Sequence, residues 1–272
     1  MTSEPKALIG DGLVLLDLYP DGVGHLRLNR PDASNAMSND FLKALFDAVM
    51  VCHGDSSMRA VVLSGEGRHF CAGGDVKDFA SKGEGLPDYL REATTWLGMV
   101  AGALVRLQQP VVVAVQGYAA GGGGLGLVCA GDLVVAGRRA KFMSGATRAG
   151  MAPDAGSTVA LQRIVGFRKA MEIVLLNPTL TADDALAIGL VNRVVDDEAV
   201  LESAFEMART LAAGAPLAMA GAKRLLWDGV GRSIEEAFPD ESRTVSALSG
   251  TADAREALAA VIEKRTPTFE GR

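Results

Sequence analysis

Cysteine is scarce: Cys52, Cys71 and Cys129 are the only three in 272 residues, and none belongs to a C-x-x-C pair. That shortage excludes a disulfide framework and a structural zinc site, and it predicts a reducing, cytoplasmic compartment. Basic residues never run longer than a doublet such as Arg138-Arg139, in a chain of formal net charge -6 and pI near 5.2. Such a surface offers no electrostatic footprint for nucleic acid or an anionic membrane, so a small molecule or another protein is the expected partner. Secretion is not expected either: the start MTSEPKALIGDG has Glu4 and Pro5 where a signal peptide needs a basic start and an apolar run. The three histidines, His25, His53 and His69, have neither the spacing of a metal site nor that of a triad, so no metal is expected.

What remains is ordinary globular material, 49% apolar and 22% charged. At this length a chain forms one large or two modest domains and buries about 70–75% of its unfolded surface. The stretch from Leu107 to Gly131 has no charge and could in principle cross a bilayer, but Pro110, three glutamines and seven glycines divide it. It reads as a buried strand at Val111–Val115, a glycine turn and a short apolar helix near 124–130. Upstream, Leu13–Leu18 and Val23–Leu28 flank Pro20-Asp21-Gly22 as a hairpin, and Ser38-Asn39-Asp40 caps a helix running to about His53. Strand and helix signals then alternate through Arg59–Ser64, Pro87–Leu107, Val111–Val115 and Leu133–Ala136, which predicts crossover connections and an α/β layer architecture. After Val195 the pattern turns helical, with Val200, Leu201, Phe205, Ala208 and Leu211 on one stripe and further helices over 217–226, 233–248 and 252–263. Two regions are expected, 1–195 and 196–272, the second with apolar faces suited to the core or to another subunit.

Two glycine-bearing corners carry the chemistry. Gly121-Gly122-Gly123-Gly124-Leu125-Gly126 satisfies G-x-G-x-x-G, but only about five residues separate it from Asp132, too few for the crossover helix of a dinucleotide unit. Phe70-Cys71-Ala72-Gly73-Gly74-Asp75-Val76-Lys77 also follows a strand and opens a helix. Two such corners can each aim a backbone N–H at one point, which is how an oxyanion hole is made.

These segments together resemble the crotonase superfamily, the enoyl-CoA hydratase/isomerase family. The resemblance runs through His25–Pro31 with Asn35-Ala36, Phe70–Lys77, Pro110–Asp132, Phe142, Gly150–Asp154, Gly189–Val191 and Glu263–Pro267 with Phe269. It implies a spiral ββα core, a C-terminal helical trimerisation region giving a trimer or a dimer of trimers, and an acyl-CoA thioester as substrate, with no further cofactor. By the same resemblance the first oxyanion N–H belongs to Gly74. The second falls in a tract one residue longer than the family pattern: anchoring on Leu125-Gly126-Leu127 gives Gly123, the preferred choice, and anchoring on Tyr118-Ala119-Ala120 gives Gly122. Ala36, Ala72, Asp75, Val76 and Lys77 map to the coenzyme A contacts, and Lys264 and Phe269 to the coenzyme of a neighbouring subunit.

The departures from the family pattern decide what chemistry is expected. The two glutamates with which the family's hydratases hold water align here with Gly126 or Leu125 and with Ala146, none of which transfers a proton. Asp154, between Pro153 and Ala155-Gly156, stands where the family's isomerases carry their acid/base carboxylate, although a carboxylate there can also cap a helix starting near Ala155. The resemblance thus implies an isomerase of unsaturated or ring-bearing acyl-CoA with Asp154 as proton shuttle. The alternatives are a hydratase using a loop carboxylate such as Asp78 or Glu84, and a silent acyl-CoA-binding paralogue. Ser144 and Arg148 lie in the segment that lines the family's acyl pocket, and Asp132 reads as structural.

Overall fold

The computed structural model describes residues 4–272; Met1–Ser3, on which part of the expectation about a leader rests, lie outside the described residues. Strands β1 (Lys6–Ile9), β2 (Val14–Leu18) and β3 (Val23–Leu28) form an antiparallel meander, and β2 and β3 meet at the Pro20-Asp21-Gly22 turn as expected. Next come β4 (Ala60–Gly65), β5 (Val111–Val115), β6 (Tyr118–Ala120), β7 (Leu133–Gly137), β8 (Lys141–Met143), β9 (Leu180–Thr181) and β10 (Arg193–Val195). The main sheet has the order β1-β2-β3-β4-β5-β7-β10 and is parallel from β3 onward.

The uninterrupted apolar runs of β4 and β5 are explained by burial on both faces, the usual condition of parallel strands. Val61, Leu63, Val111, Val113 and Val115 face one core, which contains Phe41, Leu42 and Leu45 from the helix Asn39–Gly54 and Leu97, Val100 and Leu104 from the helix Leu86–Arg106. Ala60, Val62, Val112 and Ala114 face the other, sealed by Val200, Ala204, Phe205, Ala208 and Ala212 of the helix Val200–Ala212. Each fully buried valine or leucine contributes about 1.5–3 kcal/mol of transfer free energy, so the strands are firmly seated and their C-terminal ends are fixed points.

A smaller sheet, β6-β8-β9, sits over those ends. Isolated parallel bridges Met37↔Gly74 and Cys71↔Ala119 extend it. β3, β4, β5 and β7 therefore each hand the chain to a short segment of this second layer and then to a helical turn or helix, which is the ββα repetition the resemblance implies. Where the glycine tract leaves β6 it forms a π-helical turn, Gly122–Gly126, followed by one α-turn, Leu127–Ala130. A π-turn widens the loop of the hydrogen bond by one residue, so the extra glycine is absorbed inside the helix and both flanks keep their registers.

The three terminal helices, Pro216–Gly229, Ile234–Ser249 and Ala252–Glu263, behave differently from Val200–Ala212. They bury only Lys223, Asp253 and Ala260, while Leu226, Ile234, Val245, Leu258, Val261 and Ile262 stand exposed. Among the described residues no helix is long and apolar enough to cross a membrane.

Candidate active site

The loops that leave the C-terminal ends of β3, β4, β5 and β7 converge, and one buried side chain ties the first two together. Asn35 is fully buried in a left-handed conformation (φ 54°). Its Oδ1 accepts from Arg30 N at 2.8 Å, and its Nδ2 donates toward the carbonyls of Glu66, His69 and Phe70 at 3.0, 2.9 and 3.0 Å. This fixes the chain so that Met37 runs beside Gly74. Met37 N donates to Gly73 O (2.8 Å) and Asp75 N donates to Met37 O (3.1 Å). In a parallel bridge the flanking groups point at the partner and the central residue's own N–H points the opposite way. Gly74 N–H is consequently unspent, and it faces the side on which Cys71 pairs with β6 (Cys71 N to Tyr118 O, 3.0 Å; Ala120 N to Cys71 O, 2.9 Å), where the glycine tract begins. The strand can make this turn because Gly73 has φ +101°, a conformation that L side chains rarely adopt.

The first N–H groups of the π-turn have no partner within the helix, as at any helix N-terminus, and the local dipole favours negative charge there. Two of its glycines face different neighbours. A Cβ on Gly123 would fall 2.9 Å from Met37 Sδ and 3.1 Å from Cys71 Sγ, so Gly123 is packed against the Cys71–Gly74 segment. A Cβ on Gly122 would overlap the carboxylate of Asp154, with Leu97 also in contact, so Gly122 leaves the space that Asp154 occupies. Burial pushes Cys71 up to about 12, which makes it a packing group and not a nucleophile.

Asp154 is half-buried, and burial raises its carboxyl above the ordinary carboxylate value. It does not cap the next helix. That helix begins at Ser157, with Gly156 in the cap position and no side-chain cap, and Asp154 takes part through its carbonyl, which accepts from Ser157 N (2.9 Å) and Ser157 Oγ (2.6 Å). The sequence expectation of a helix starting near Ala155 is corrected for a backbone reason: Ala155 and Gly156 are both left-handed, at φ 54° and 70°.

The other acidic candidates are committed elsewhere. Asp78 pairs with Lys82 Nζ at 2.7 Å and accepts from Tyr89 Oη at 2.5 Å, contacts that hold its carboxyl below the usual range. Glu84 is exposed in the turn Gly83–Gly85. The aligned positions of the missing glutamates hold Leu125, which is buried in the core, Gly126, whose Cβ would lie 2.7 Å from Ala155 Cβ, and Ala146 in the turn Ala146–Ala149. His25 bonds Ser64 Oγ at 2.8 Å and is driven down to about 3 by burial and by Arg27, so it stays neutral. His69 Nδ1 accepts from Tyr118 N, and His53 Nε2 bonds Ala103 O. Ser144 is buried, and Arg148 donates to Asn177 O at 2.6 Å, shaping its loop.

Of the positions expected to meet coenzyme A, Gly74, Asp75 and the exposed Ala72, Val76 and Lys77 form one continuous edge, with Ala36 beside them. Phe269 is not at this edge in the same chain: its carbonyl accepts from Arg59 Nη2 (2.7 Å), at the N-terminal end of β4, whereas Gly74 lies beyond its C-terminal end, and Lys264 is the left-handed residue that ends the helix Ala252–Glu263. Sequence inspection missed Lys223, a buried ammonium at 2.7 Å from Asp132, and Arg30, which pairs with Asp75 at 2.8 Å. No group of three or more His, Cys, Asp or Glu among the described residues is arranged to hold a metal.

Residues 19–272 match the family described as Enoyl-CoA hydratase/isomerase. The chain is 34% identical over 260 residues to 1,2-epoxyphenylacetyl-CoA isomerase of Escherichia coli K12, covering 95% of this chain and 98% of that protein. It is 34% identical over 248 residues to 2,3-dehydroadipyl-CoA hydratase of the same organism, covering 91% and 94%. Among solved structures, an enoyl-CoA hydratase from Bacillus anthracis superposes with a TM-score of 0.91 at 30% identity, over 96% of this chain and 100% of that one. With the family match spanning both glycine corners and the terminal helices, the chain belongs to the enoyl-CoA hydratase/isomerase family of the crotonase superfamily.

Proposed function

We propose that the protein isomerises an unsaturated or ring-bearing acyl-CoA, with Asp154 as the single proton shuttle. The observation that carries this is a half-buried carboxylate with raised proton affinity, set against Gly122 at the mouth of the glycine tract, in a site whose two aligned hydratase positions hold no carboxylate. For a 3-enoyl thioester the steps balance as follows. The Asp154 carboxylate removes a proton from C2; the C–H electron pair forms the C1=C2 bond of a dienolate, and the thioester C=O pair moves onto oxygen. Gly74 N–H and an N–H of the glycine tract hold that oxyanion. Protonated Asp154 then returns the proton at C4, and the electrons relax to the 2-enoyl thioester. Desolvation suits the carboxylate to this task, because a base with a raised pKa takes a carbon-bound proton more readily.

The contact between Gly122 and Asp154 supports Gly122 as the second donor, and Gly123, one residue deeper, is its neighbour in the same turn. Coenzyme A enters as part of the substrate along Ala36, Ala72, Asp75, Val76 and Lys77. The exposed apolar residues of the terminal helices support a trimer or a dimer of trimers, in which Lys264 and Phe269 would serve a neighbouring site. Light scattering at micromolar concentration checks this, and a monomer would contradict it. Hydration, the activity named for several relatives, requires a positioned water between two carboxylates, and the partnered Asp78 and the exposed Glu84 give it little support.

The test is incubation with a panel of thioesters: 3-enoyl-CoA, 2-enoyl-CoA and ring-bearing acyl-CoA, with products separated by mass and retention. Isomerisation without addition of water, with exchange of solvent deuterium at C2 or C4, is the expected result. Rapid hydration of 2-enoyl-CoA with no isomerisation overturns it.

A further inference from the structure

Gly74 is the N-terminal neighbour of a helix, Val76–Ser81, that has no buried residue of its own; Val76 is 71% exposed. Its one inward ring, Phe79, lies against Gly74 and edge-on to Tyr89, and with so little apolar packing polar anchors help determine where the helix starts. Asp78 in its first turn bonds Tyr89 and pairs with Lys82 at its C-terminal end, the tyrosine also accepting from Asn39 N at 3.2 Å. The polar tie at its start is Asp75, and the two carboxylate oxygens do different things. Oδ1 accepts from Asp78 N at 3.1 Å, the N-cap bond that opens the helix. Oδ2 accepts from Arg30 Nη1 at 2.8 Å, and the same Nη1 donates to Ala36 O at 2.8 Å. One guanidinium nitrogen therefore joins the chain just before Met37 to the residue just after Gly74, on either side of the bridge that turns Gly74 N–H toward the glycine tract.

We propose that Arg30 is a positioning residue: by holding Asp75 against Ala36 it fixes the direction of Gly74 N–H and so sets the turnover rate without touching the substrate. This rests on the assignment of Gly74 as an oxyanion donor. An oxyanion donor acts only if it is already aimed when charge develops, and a misplacement of about 1 Å in a catalytic group can cost on the order of 10²-fold. Binding of the thioester, spread along the whole edge from Ala36 to Lys77, depends far less on that single direction.

The experiment compares wild type with Arg30→Met, Arg30→Lys, Asp75→Asn and the Arg30→Met/Asp75→Asn pair. It measures kcat and KM on trans-3-hexenoyl-CoA, the dissociation constant of free coenzyme A by calorimetry, and Tm. Arg30→Met is expected to lower kcat by roughly ten- to a hundredfold, with KM and coenzyme A affinity changed by less than about twofold. The pair should be no slower than the slower single variant, because both substitutions break one link. Arg30→Lys, which keeps a cationic donor for Asp75, should recover most of kcat. Wild-type kcat in Arg30→Met overturns the proposal, as does a loss confined to coenzyme A affinity, which would make Arg30 a phosphate ligand. If Arg30→Met does not fold, Asp75→Asn decides, since Asn keeps the cap but loses the ionic link: unchanged kcat there overturns the proposal. Gly74→Pro separates the two levels. An inactive Gly74→Pro beside a fully active Arg30→Met removes only the role of Arg30, whereas an active, folded Gly74→Pro removes the oxyanion assignment itself.

Discussion

Asp132 and Asp154 are both withdrawn from bulk water, and their surroundings are opposite. The Asp132 side chain is 15% exposed and both its oxygens have protein donors: Val111 N donates at 2.7 Å, Trp227 Nε1 at 2.9 Å, and the Lys223 ammonium sits at 2.7 Å. Lys223 in turn donates to Leu104 O (3.0 Å) and Gln109 O (3.1 Å), so the cluster clasps the terminal helix Pro216–Gly229 to the end of Leu86–Arg106 and the start of β5. Burial pushes the lysine down and Asp132 pulls it back up. Asp154 faces the glycine tract, with only its own backbone N–H offsetting the burial that raises its carboxyl. A carboxylate whose two oxygens are both held by protein donors is scaffold. One left short of donors in a half-buried place is available to a substrate proton.

The sharpest way to break this contrast is to neutralise the unsatisfied carboxylate. Asp154→Asn keeps the size of the side chain but cannot take a proton, so isomerisation should fall roughly 10²- to 10⁴-fold in a steady-state assay while acyl-CoA binding stays nearly intact. Comparable activity in wild type and variant would erase the distinction between the two aspartates. The converse experiment is Lys223→Met, which strands the Asp132 charge. Loss of one partner of a buried pair costs about 3–5 kcal/mol, so a large fall in Tm is expected, and Lys223→Met/Asp132→Asn should regain part of it. Insensitivity of Tm would show that the clasp holds nothing.

Gly122→Ala probes the space between tract and carboxylate. Asp154 can rotate away from the new methyl group, so the fold should survive, and kcat should drop by about ten- to a hundredfold as the base is displaced. The smallest effect concerns acidity. The folded carboxyl of Asp154 has a raised pKa, so its protonated form favours folding; that contribution is present below the unfolded value and is lost as pH rises through the folded one. At neutral pH the ionised group is therefore a cost, and Asp154→Asn should raise Tm slightly, the direction set by the raised carboxyl. The gain should vanish below the ordinary carboxylate pKa. Wild-type turnover should fall on its acid limb through the same raised pKa, seen as a kcat profile displaced upward from a free carboxylate.

Much of the scaffold was legible in the residues because long periodic segments announce themselves. The hairpin around Pro20-Asp21-Gly22, the Ser38-capped helix and the all-apolar β5 appear where pattern and turn chemistry put them. The second layer was not legible: β6, β8 and β9 have only two or three residues each, too short for alternation to show. Asn35 belongs to the segments that carry the resemblance, but its task is not legible until its Nδ2 is found facing three carbonyls. The dyad Lys223-Arg224 reads as a solvated helix face, and only packing reveals that the first of the two is buried.

The candidate site divides in the same way. Sequence alone determined the family, the two glycine corners, the absence of both hydratase glutamates and the presence of an aspartate after Pro153, because these are matters of residue type and local order. Tertiary structure decided the rest. It placed the extra glycine in a π-turn, turned Asp154 away from the helix it could have capped and toward Gly122, and drew Arg30 across to Asp75. The physical reason is that direction and partnership are set by groups distant in the chain: a carboxylate is a cap, a clasp or a base according to which donors the fold brings within about 3 Å of it, and which it leaves out.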